Sequence, residues 1–263
     1  MRSERVRGAS WYLREALRIL AESSDPEAAA RELRSIRPGM APLDLIALVV
    51  EEAARRGAEL RPIVERFLAY SERAQAGLRA AVSGLGLRCP ADFITISFSR
   101  AVGDFIATRR SCVKRLYLLE SRPGDEAAAA LEEYGKYVEV TPIPDSAAGA
   151  VRFDYVVIGL DGLYADGRAF NKVGTLPLLA IARTLGAVSI AVFESYKAAP
   201  VASPEPYRVE AEALGRRIAV PLFDRFDASL IDLAVTDLGV FERPSGEFAR
   251  RAWSVIAAAL GLT

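Results

Sequence analysis

The stretch YVVIGLDGLYADGRAFNKVGT, residues 155–175, joins an apolar strand to an apolar helix-like segment through a polar loop. Its first four residues are all apolar, as expected of a strand that is buried on both faces of a sheet. The loop then carries Asp161, Asp166, Asn171 and Lys172 before the helical pattern begins. A strand, a polar loop and a helix in this order predict a unit of a parallel sheet covered by helices.

The same alternation of strands and helices extends from Pro90 to near the C-terminus, and it indicates an α/β fold. We predict a Rossmann-like, doubly wound and mostly parallel sheet with helices on both faces, whose strand order the sequence does not specify. Predicted strands are residues 93–96, 115–119, 138–140, 155–158, 188–193 and 240–241, and predicted helices are 99–108, 125–134, 176–185, 228–234 and 248–260.

The first 85 or so residues show only helical patterns. The sequence Ser24-Asp25-Pro26 provides a capping residue and a proline in the first turn, which is a typical helix start. Helices are predicted at residues 11–20, 26–36, 41–58 and 62–82. We therefore expect an N-terminal helical domain, residues 1–86, and a Rossmann-like α/β domain, residues 87–263.

The composition excludes several classes of protein. The chain has 263 residues, is 51% hydrophobic and 26% charged, and has a formal net charge of zero, which favours neither nucleic-acid nor membrane binding. No apolar stretch reaches the roughly 18–20 residues that a membrane span needs. The charged N-terminus, MRSERVRGAS, lacks a signal-peptide core. We expect a cytoplasmic protein.

The absence of histidine removes the commonest general base and the commonest metal ligand. The two cysteines, Cys89 and Cys112, are too far apart for a CxxC site, so neither a zinc centre nor another metal site is expected. No cofactor is expected, since the chain has no GxGxxG or P-loop and Gly84-Leu85-Gly86 precedes the first strand. Chemistry must then come from carboxylate, lysine, serine, arginine or backbone groups.

Polar and charged residues follow four of the predicted strands, and ligands of open parallel sheets bind outside those carboxyl ends. The cations there, which could converge on phosphate, are Arg100, Arg122, Lys172 and Lys197. Each such residue alone is more often a capping or surface group, but the four loops together favour a ligand site.

Other groups at these strand ends suggest acid–base chemistry and anion binding. Asp161 and Glu120 are candidate acid–base residues. Ser97 precedes a predicted helix whose amides could bind an anion. The ending Asn-Lys-x-Gly-Thr, residues 171–175, could present a cation, an amide and free backbone donors to the same anion.

These loops resemble, in order and over nearly the whole chain, the alpha, beta and delta subunits of translation initiation factor 2B and their isomerase relatives. The relatives act on methylthioribose 1-phosphate and ribose 1,5-bisphosphate. The residues that carry the resemblance are Arg7-Gly8-Ala9, Arg37-Pro38, TISFSR at 95–100, Glu120-Ser121-Arg122-Pro123, Pro144-Asp145-Ser146, Gly159-Leu160-Asp161, Asp166-Gly167, NKVGT at 171–175, Phe223-Asp224 and TDLGV at 236–240.

The resemblance implies an α/β domain that forms a homodimer or a higher oligomer, and a pocket for a phosphorylated ribose or a nucleotide. In the isomerases a cysteine and an aspartate flank the sugar, and by the motifs these fall on Ser97 and Asp161. The aspartate is retained and the cysteine is not. A serine hydroxyl exchanges protons poorly without a strong neighbouring base. Either isomerisation is lost or another group, such as Glu120, takes over.

Three hypotheses follow. The first is an initiation factor 2B-like protein that binds a sugar phosphate or nucleotide without efficient catalysis. The second is an aldose–ketose isomerase in which Asp161 moves one proton and Ser97 or Glu120 the other. The third is a protein-interaction module with a vestigial pocket, with the initiation factor 2 alpha subunit as partner. Residues expected to bind the ligand are Arg7, Gly8, Arg100, Arg122, Asn171, Lys172 and Lys197.

Overall fold

The computed structural model describes residue 1 and residues 7–263; residues 2–6, part of the stretch interpreted as lacking a signal-peptide core, lie outside the described residues. The helices are α1 Ala9–Glu22, α2 Pro26–Ile36, α3 Ala41–Arg55, α4 Leu60–Ser83, α5 Arg100–Thr108, α6 Glu126–Tyr134, α7 Thr175–Leu185 and α8 Gly246–Leu260. The strands are β1 Ala91–Thr95, β2 Val113–Leu119, β3 Val140–Ile143, β4 Tyr155–Ile158, β5 Gly162–Tyr164, β6 Arg168–Lys172, β7 Val188–Val192, β8 Ala198–Ala199, β9 Arg208–Ala213, β10 Arg216–Pro221, β11 Phe223–Asp227, β12 Leu233–Thr236 and β13 Gly239–Glu242.

The four N-terminal helices form where the sequence predicts them. Asp25 caps α2, since its carboxylate accepts a hydrogen bond from the Ala28 amide at 2.9 Å, and Pro26 occupies the first turn. The helices bury one apolar core, to which Tyr164 and Phe170 of the C-terminal half also belong. The helical region therefore packs directly against the loops that follow the sheet, while the division at residues 86 and 87 stays a prediction.

A seven-stranded sheet forms the centre of the C-terminal half, in the order β13-β12-β7-β4-β1-β2-β3. All neighbours are parallel except β12 and β13. Successive residues of β1 face opposite cores: Phe93 packs with α5 and α6, whereas Ile94 packs with α7 and α8. The predicted α/β class, with helices on both faces, is confirmed.

Two local predictions are wrong. Residues 228–234, predicted as a helix, form one short 3-10 turn, Ala228–Leu230, followed by β12. A short apolar run is ambiguous between helix and strand, and here pairing with β7 in the sheet decides. The third strand lies at Val140–Ile143 and not at residues 138–140, because its register with β2 begins at the pair Leu116 and Val140.

The predicted loop 159–175 is instead mostly a β-hairpin. The strands β5 and β6 pair in antiparallel fashion, and Asp166 and Gly167, the latter at φ 78°, form the turn between them. With β8 and β11 they make a second sheet, ordered β11-β6-β5-β8. Asn171 and Lys172 consequently lie on a buried strand and not on a free loop.

Cys89 and Cys112 form a disulfide bond, which the sequence did not predict. It connects the segment entering β1 to the turn before β2 and closes a loop with a sequence separation of 23 residues. None of the helices in residues 1 and 7–263 is long and apolar enough to cross a membrane.

The strand order locates the point where the sheet reverses direction. The chain runs outward from β1 to β2 and β3, then returns to place β4 on the other side of β1 and continues to β7. The carboxyl ends of β1 and β4 therefore flank a crevice, the usual binding position in open α/β sheets. Ser97 follows β1 and Asp161 follows β4.

Candidate functional site

Two adjoining cavities occupy this crevice, with volumes of about 240 Å³ and about 50 Å³. Both are lined by Arg7, Gly8, Ser97, Phe98 and Asp161. We call them together the switch-point cavity. Eight of the ten site residues predicted from the sequence line this cavity: Arg7, Gly8, Ser97 and Asp161 line both parts, Arg100, Asn171 and Lys197 the larger, and Lys172 the smaller.

Asp161 is held in place by both halves of the protein. Its backbone amide donates to the Phe170 carbonyl at 2.9 Å, and its carbonyl accepts from the Ala41 amide at the start of α3 at 3.0 Å. Burial raises the pKa of Asp161 to about 6, against the opposing effect of the cations Lys197 and Arg37. A carboxyl group with such a pKa can accept and release a proton near neutral pH.

Glu194 and Lys197 follow β7, and Lys197 lines the larger cavity. Glu194 has no exposed surface, and its carboxylate pairs with Arg100 and, at 3.2 Å, with the Nζ of Lys197. Burial, together with the nearby charge of Arg100, lowers the pKa of Lys197 to about 7. The sequence pattern did not indicate Glu194 as the counter-ion of both cations.

Ser97, Glu126 and Lys172 form a second cluster, in which Glu126 and Lys172 are buried and Ser97 is partly buried. The Ser97 hydroxyl donates to Oε1 of Glu126 at 3.2 Å, and the Nζ of Lys172 lies 2.7 Å from the same oxygen. Lys172 also donates to the Pro123 carbonyl. Sequence reasoning missed Glu126, since an acidic residue in the first turn of a helix is usually a simple dipole partner.

Asn171 of β6 lines the larger cavity, and the start of the following helix, α7, orients its side chain. Its Nδ2 donates to the Thr175 hydroxyl at 2.9 Å. The amides of Gly174 and Leu176, however, donate to the Asp224 carboxylate at 2.9 and 2.8 Å. The prediction that these backbone donors are free for an anion was wrong, because β11 pairs with β6 and brings Asp224 to the start of α7.

The N-terminal helices contribute cations and an aromatic ring that the sequence did not single out. Trp11 and Arg14 of α1 line the larger cavity, and Arg37 lines the smaller. The Arg37 guanidinium is buried and lies 4.8 Å from the centre of the Tyr12 ring. The available signal was the spacing of Trp11 and Arg14, three residues apart, which places them on one side of α1.

Glu120 and Arg122 lie outside the cavity. They follow β2, pair with each other at 3.0 Å, and are 49% and 59% exposed. Arg122 also pairs with Asp125 at 3.0 Å. The structure thus does not bring the predicted acid–base residue Glu120 or the predicted ligand residue Arg122 together with Asp161.

The charges of the switch-point cavity favour an anion that also carries hydroxyl groups. Two carboxylates, those of Asp161 and Glu126, line it beside a larger number of cations. Carboxylate and amide groups accept hydrogen bonds from hydroxyls, and arginine and lysine bind phosphate. In the described part of the chain, no cluster of three or more cysteine, aspartate or glutamate residues could hold a metal ion. The cationic residues are Arg7, Arg14, Arg37, Arg100, Lys172 and Lys197.

Known proteins share this fold and sequence pattern. A translation initiation factor eIF-2B subunit 2-like protein of Pyrococcus furiosus is 31% identical over 93% of this chain and 94% of its own. A methylthioribose-1-phosphate isomerase of Desulforudis audaxviator is 31% identical over 60% of this chain, but the match spans only 52% of the isomerase. The crystal structure of translation initiation factor eIF-2B from Pyrococcus horikoshii OT3 covers 92% of this chain and 94% of its own, with a TM-score of 0.76 and 25% identity.

The Initiation factor 2 subunit family matches residues 91–243, which include the whole seven-stranded sheet. The family resemblance expected from the motifs is thereby confirmed, and this chain is a member of the Initiation factor 2 subunit family.

Proposed function

We propose that this chain is an initiation factor 2B-like protein that binds a phosphorylated ribose or a nucleotide in the switch-point cavity, without efficient turnover. The observation that carries the proposal is a cavity lined by cations at the point where the sheet reverses direction. Asp161 and Asn171 also line this cavity and can exchange hydrogen bonds with the hydroxyls of a ligand. The similarity to an initiation factor 2B-like protein over 94% of its length supports it. The serine at residue 97, where the isomerases have a cysteine, supports the absence of efficient turnover.

Thermal denaturation with ribose 5-phosphate tests the proposal. A ligand that binds only the native state raises the melting temperature, and at a hundred times its Kd it stabilises by about 2.7 kcal/mol. We expect an upward shift with ribose 5-phosphate and none with ribose. No shift with any sugar phosphate or nucleotide would favour the third hypothesis, an interaction module with a vestigial pocket.

The second candidate function is an aldose–ketose isomerase, and the shifted pKa values of Asp161 and Lys197 favour it. Burial raises the pKa of Asp161 to about 6 and lowers that of Lys197 to about 7, so both exchange protons near neutral pH. Incubation with ribose 1,5-bisphosphate and with methylthioribose 1-phosphate, followed by detection of ketose product, separates the candidates. Enzyme-like turnover that Asp161→Asn abolishes would establish the isomerase and refute the non-catalytic proposal.

The remaining expectations also belong to this proposal. A homodimer or a larger homo-oligomer and contact with the initiation factor 2 alpha subunit are expected from the family resemblance. A cytoplasmic location is expected from the sequence pattern alone. Sedimentation of the purified chain tests the first, and co-purification with the alpha subunit tests the last.

A further inference from the structure

A carboxylate forms part of the wall of a cavity whose other charges suit an anion. Glu126 lines the smaller part of the switch-point cavity with Asp161, Arg37 and Lys172. It is 9% exposed, and α6 presents it from the first turn. A negative side chain in this position repels a phosphate group close to it but is a strong acceptor for hydroxyl groups.

Lys172 is already engaged by Glu126. Its Nζ lies 2.7 Å from Oε1 of Glu126 and donates to the Pro123 carbonyl, and the side chain is only 4% exposed. The pair presents little net charge to a ligand. The arginines of the cavity therefore attract a phosphate group more strongly than Lys172 does.

The backbone encloses the pair closely. A Cβ atom at Gly124, which has φ 131°, would lie 3.0 Å from the Nζ of Lys172 and would clash with the Glu126 carboxylate. Ser97, at φ 66°, directs its hydroxyl onto Glu126 at 3.2 Å. The carboxylate is thus held by contacts from two other segments of chain, those that bear Ser97 and Lys172, while Gly124 leaves room for it.

We propose that Glu126 is a specificity-determining residue of the ligand site. Its carboxylate accepts hydrogen bonds from the hydroxyls of a phosphorylated sugar and keeps Lys172 from attracting a bare phosphate to that side of the cavity. The favoured ligand class is a sugar monophosphate with free vicinal hydroxyls, in preference to inorganic phosphate. This inference rests on the proposed binding of a phosphorylated ribose.

The test is calorimetric titration of wild type and Glu126→Gln with ribose 5-phosphate and with inorganic phosphate. The uncharged amide accepts hydroxyl hydrogen bonds more weakly, so we expect ribose 5-phosphate to bind about tenfold more weakly. Lys172 loses its counter-ion, so inorganic phosphate should bind several-fold more tightly. Opposite changes for the two ligands are the signature, since damage to the fold weakens both.

Glu132→Gln is the matched control, because Glu132 lies on the same helix and is exposed. It should change neither affinity. If Glu126→Gln does not fold, Glu126→Asp keeps the charge but withdraws the oxygens from the cavity, and it should weaken ribose 5-phosphate alone.

Two outcomes oppose the inference in distinguishable ways. If wild type binds ribose 5-phosphate and Glu126→Gln shifts both ligands in the same direction or neither, Glu126 does not set the specificity. If wild type binds no sugar phosphate and no nucleotide, the proposed function itself fails, and the inference fails with it.

Discussion

The loops that follow β2 and β7 carry the same chemistry, a glutamate and a nearby cation, but they lie in opposite environments. After β7, Glu194 has no exposed surface and pairs with Arg100 and Lys197. After β2, Glu120 is 49% exposed and pairs with Arg122, which is 59% exposed. Both segments looked equally suited to a ligand site from the sequence.

The N-terminal helices make the difference. Tyr70 of α4 shares a hydrogen bond of 2.7 Å with Ser195, and Tyr196 donates to Ser10 of α1 at 3.0 Å. These contacts bury the loop after β7, whereas the ion pair of Glu120 and Arg122 after β2 stays exposed to solvent. A charged residue after a parallel strand thus becomes part of a site only where another region of the chain encloses it.

The largest expected effect is on stability, from breaking the buried pair. Glu194→Gln leaves Arg100 and Lys197 without their shared carboxylate, which we expect to lower the free energy of unfolding by about 3 kcal/mol. Arg100 keeps Asp104 as a partner at 2.6 Å, which limits the loss. Urea denaturation at pH 7 measures it.

Glu120→Gln is the matched change at the exposed strand end. A solvent-exposed ion pair contributes at most about 1 kcal/mol, so this variant should unfold close to wild type. Equal losses for Glu194→Gln and Glu120→Gln would contradict the contrast between the two loops.

The next effect is a pH dependence at Asp161. Its pKa rises from 3.8 to about 6 on folding, so between these values the folded chain keeps a proton that the unfolded chain releases. Stability contributed by this group therefore falls as pH rises through about 4 to 6. Asp161→Asn should be more stable than wild type by up to about 3 kcal/mol at pH 7, and the gain should vanish below about pH 4.

Asp166, on the exposed turn of the same hairpin, supplies the control for this titration. Burial raises its pKa, but hydrogen bonds from Ser203 and Arg168 outweigh burial and leave the pKa lowered. Asp166→Asn should therefore lose stability at neutral pH, the opposite sign. The free energy of unfolding of both variants is measured from pH 4 to 8. If the two curves run in parallel, the raised pKa of Asp161 is refuted.

The smallest effect concerns ligand affinity. Lys197→Met removes a cation that lines the larger cavity, and we expect ribose 5-phosphate to bind about tenfold more weakly at pH 6.5, where the amine is mostly charged. Arg122→Met removes an exposed cation outside the cavity and should alter the affinity less than twofold. Calorimetric titration measures both affinities. If the two variants lost affinity by comparable factors, the phosphate would lie at the end of β2 and not in the larger cavity.

Much of the fold could be predicted from the sequence because its signals are local. Asp25 before α2, Pro26 in its first turn, and the four apolar residues of β4 specify their elements without reference to distant residues. The hairpin of β5 and β6 could not be predicted in this way, since its burial depends on Tyr164 and Phe170 packing into the helical core.

The residues of the candidate site also divide into those that local sequence patterns indicate and those that only packing brings to the cavity. Asp161, Asn171 and Lys197 could be proposed because polar residues after buried strands point to the ligand edge of a sheet. Glu126 and Arg37 could not, since neither follows a strand and each reaches the cavity only through the packing of its helix or turn.

The sequence by itself determined the α/β class, the helical N-terminal region, the family and the residue types available for chemistry in a chain without histidine. Only the tertiary structure decided which strand ends meet, because strand order is a long-range property that local patterns do not encode. It also decided the partners of each charge. Lys172 pairs with Glu126, and Glu194 is shared by Arg100 and Lys197, because burial makes an unpaired charge too costly to keep.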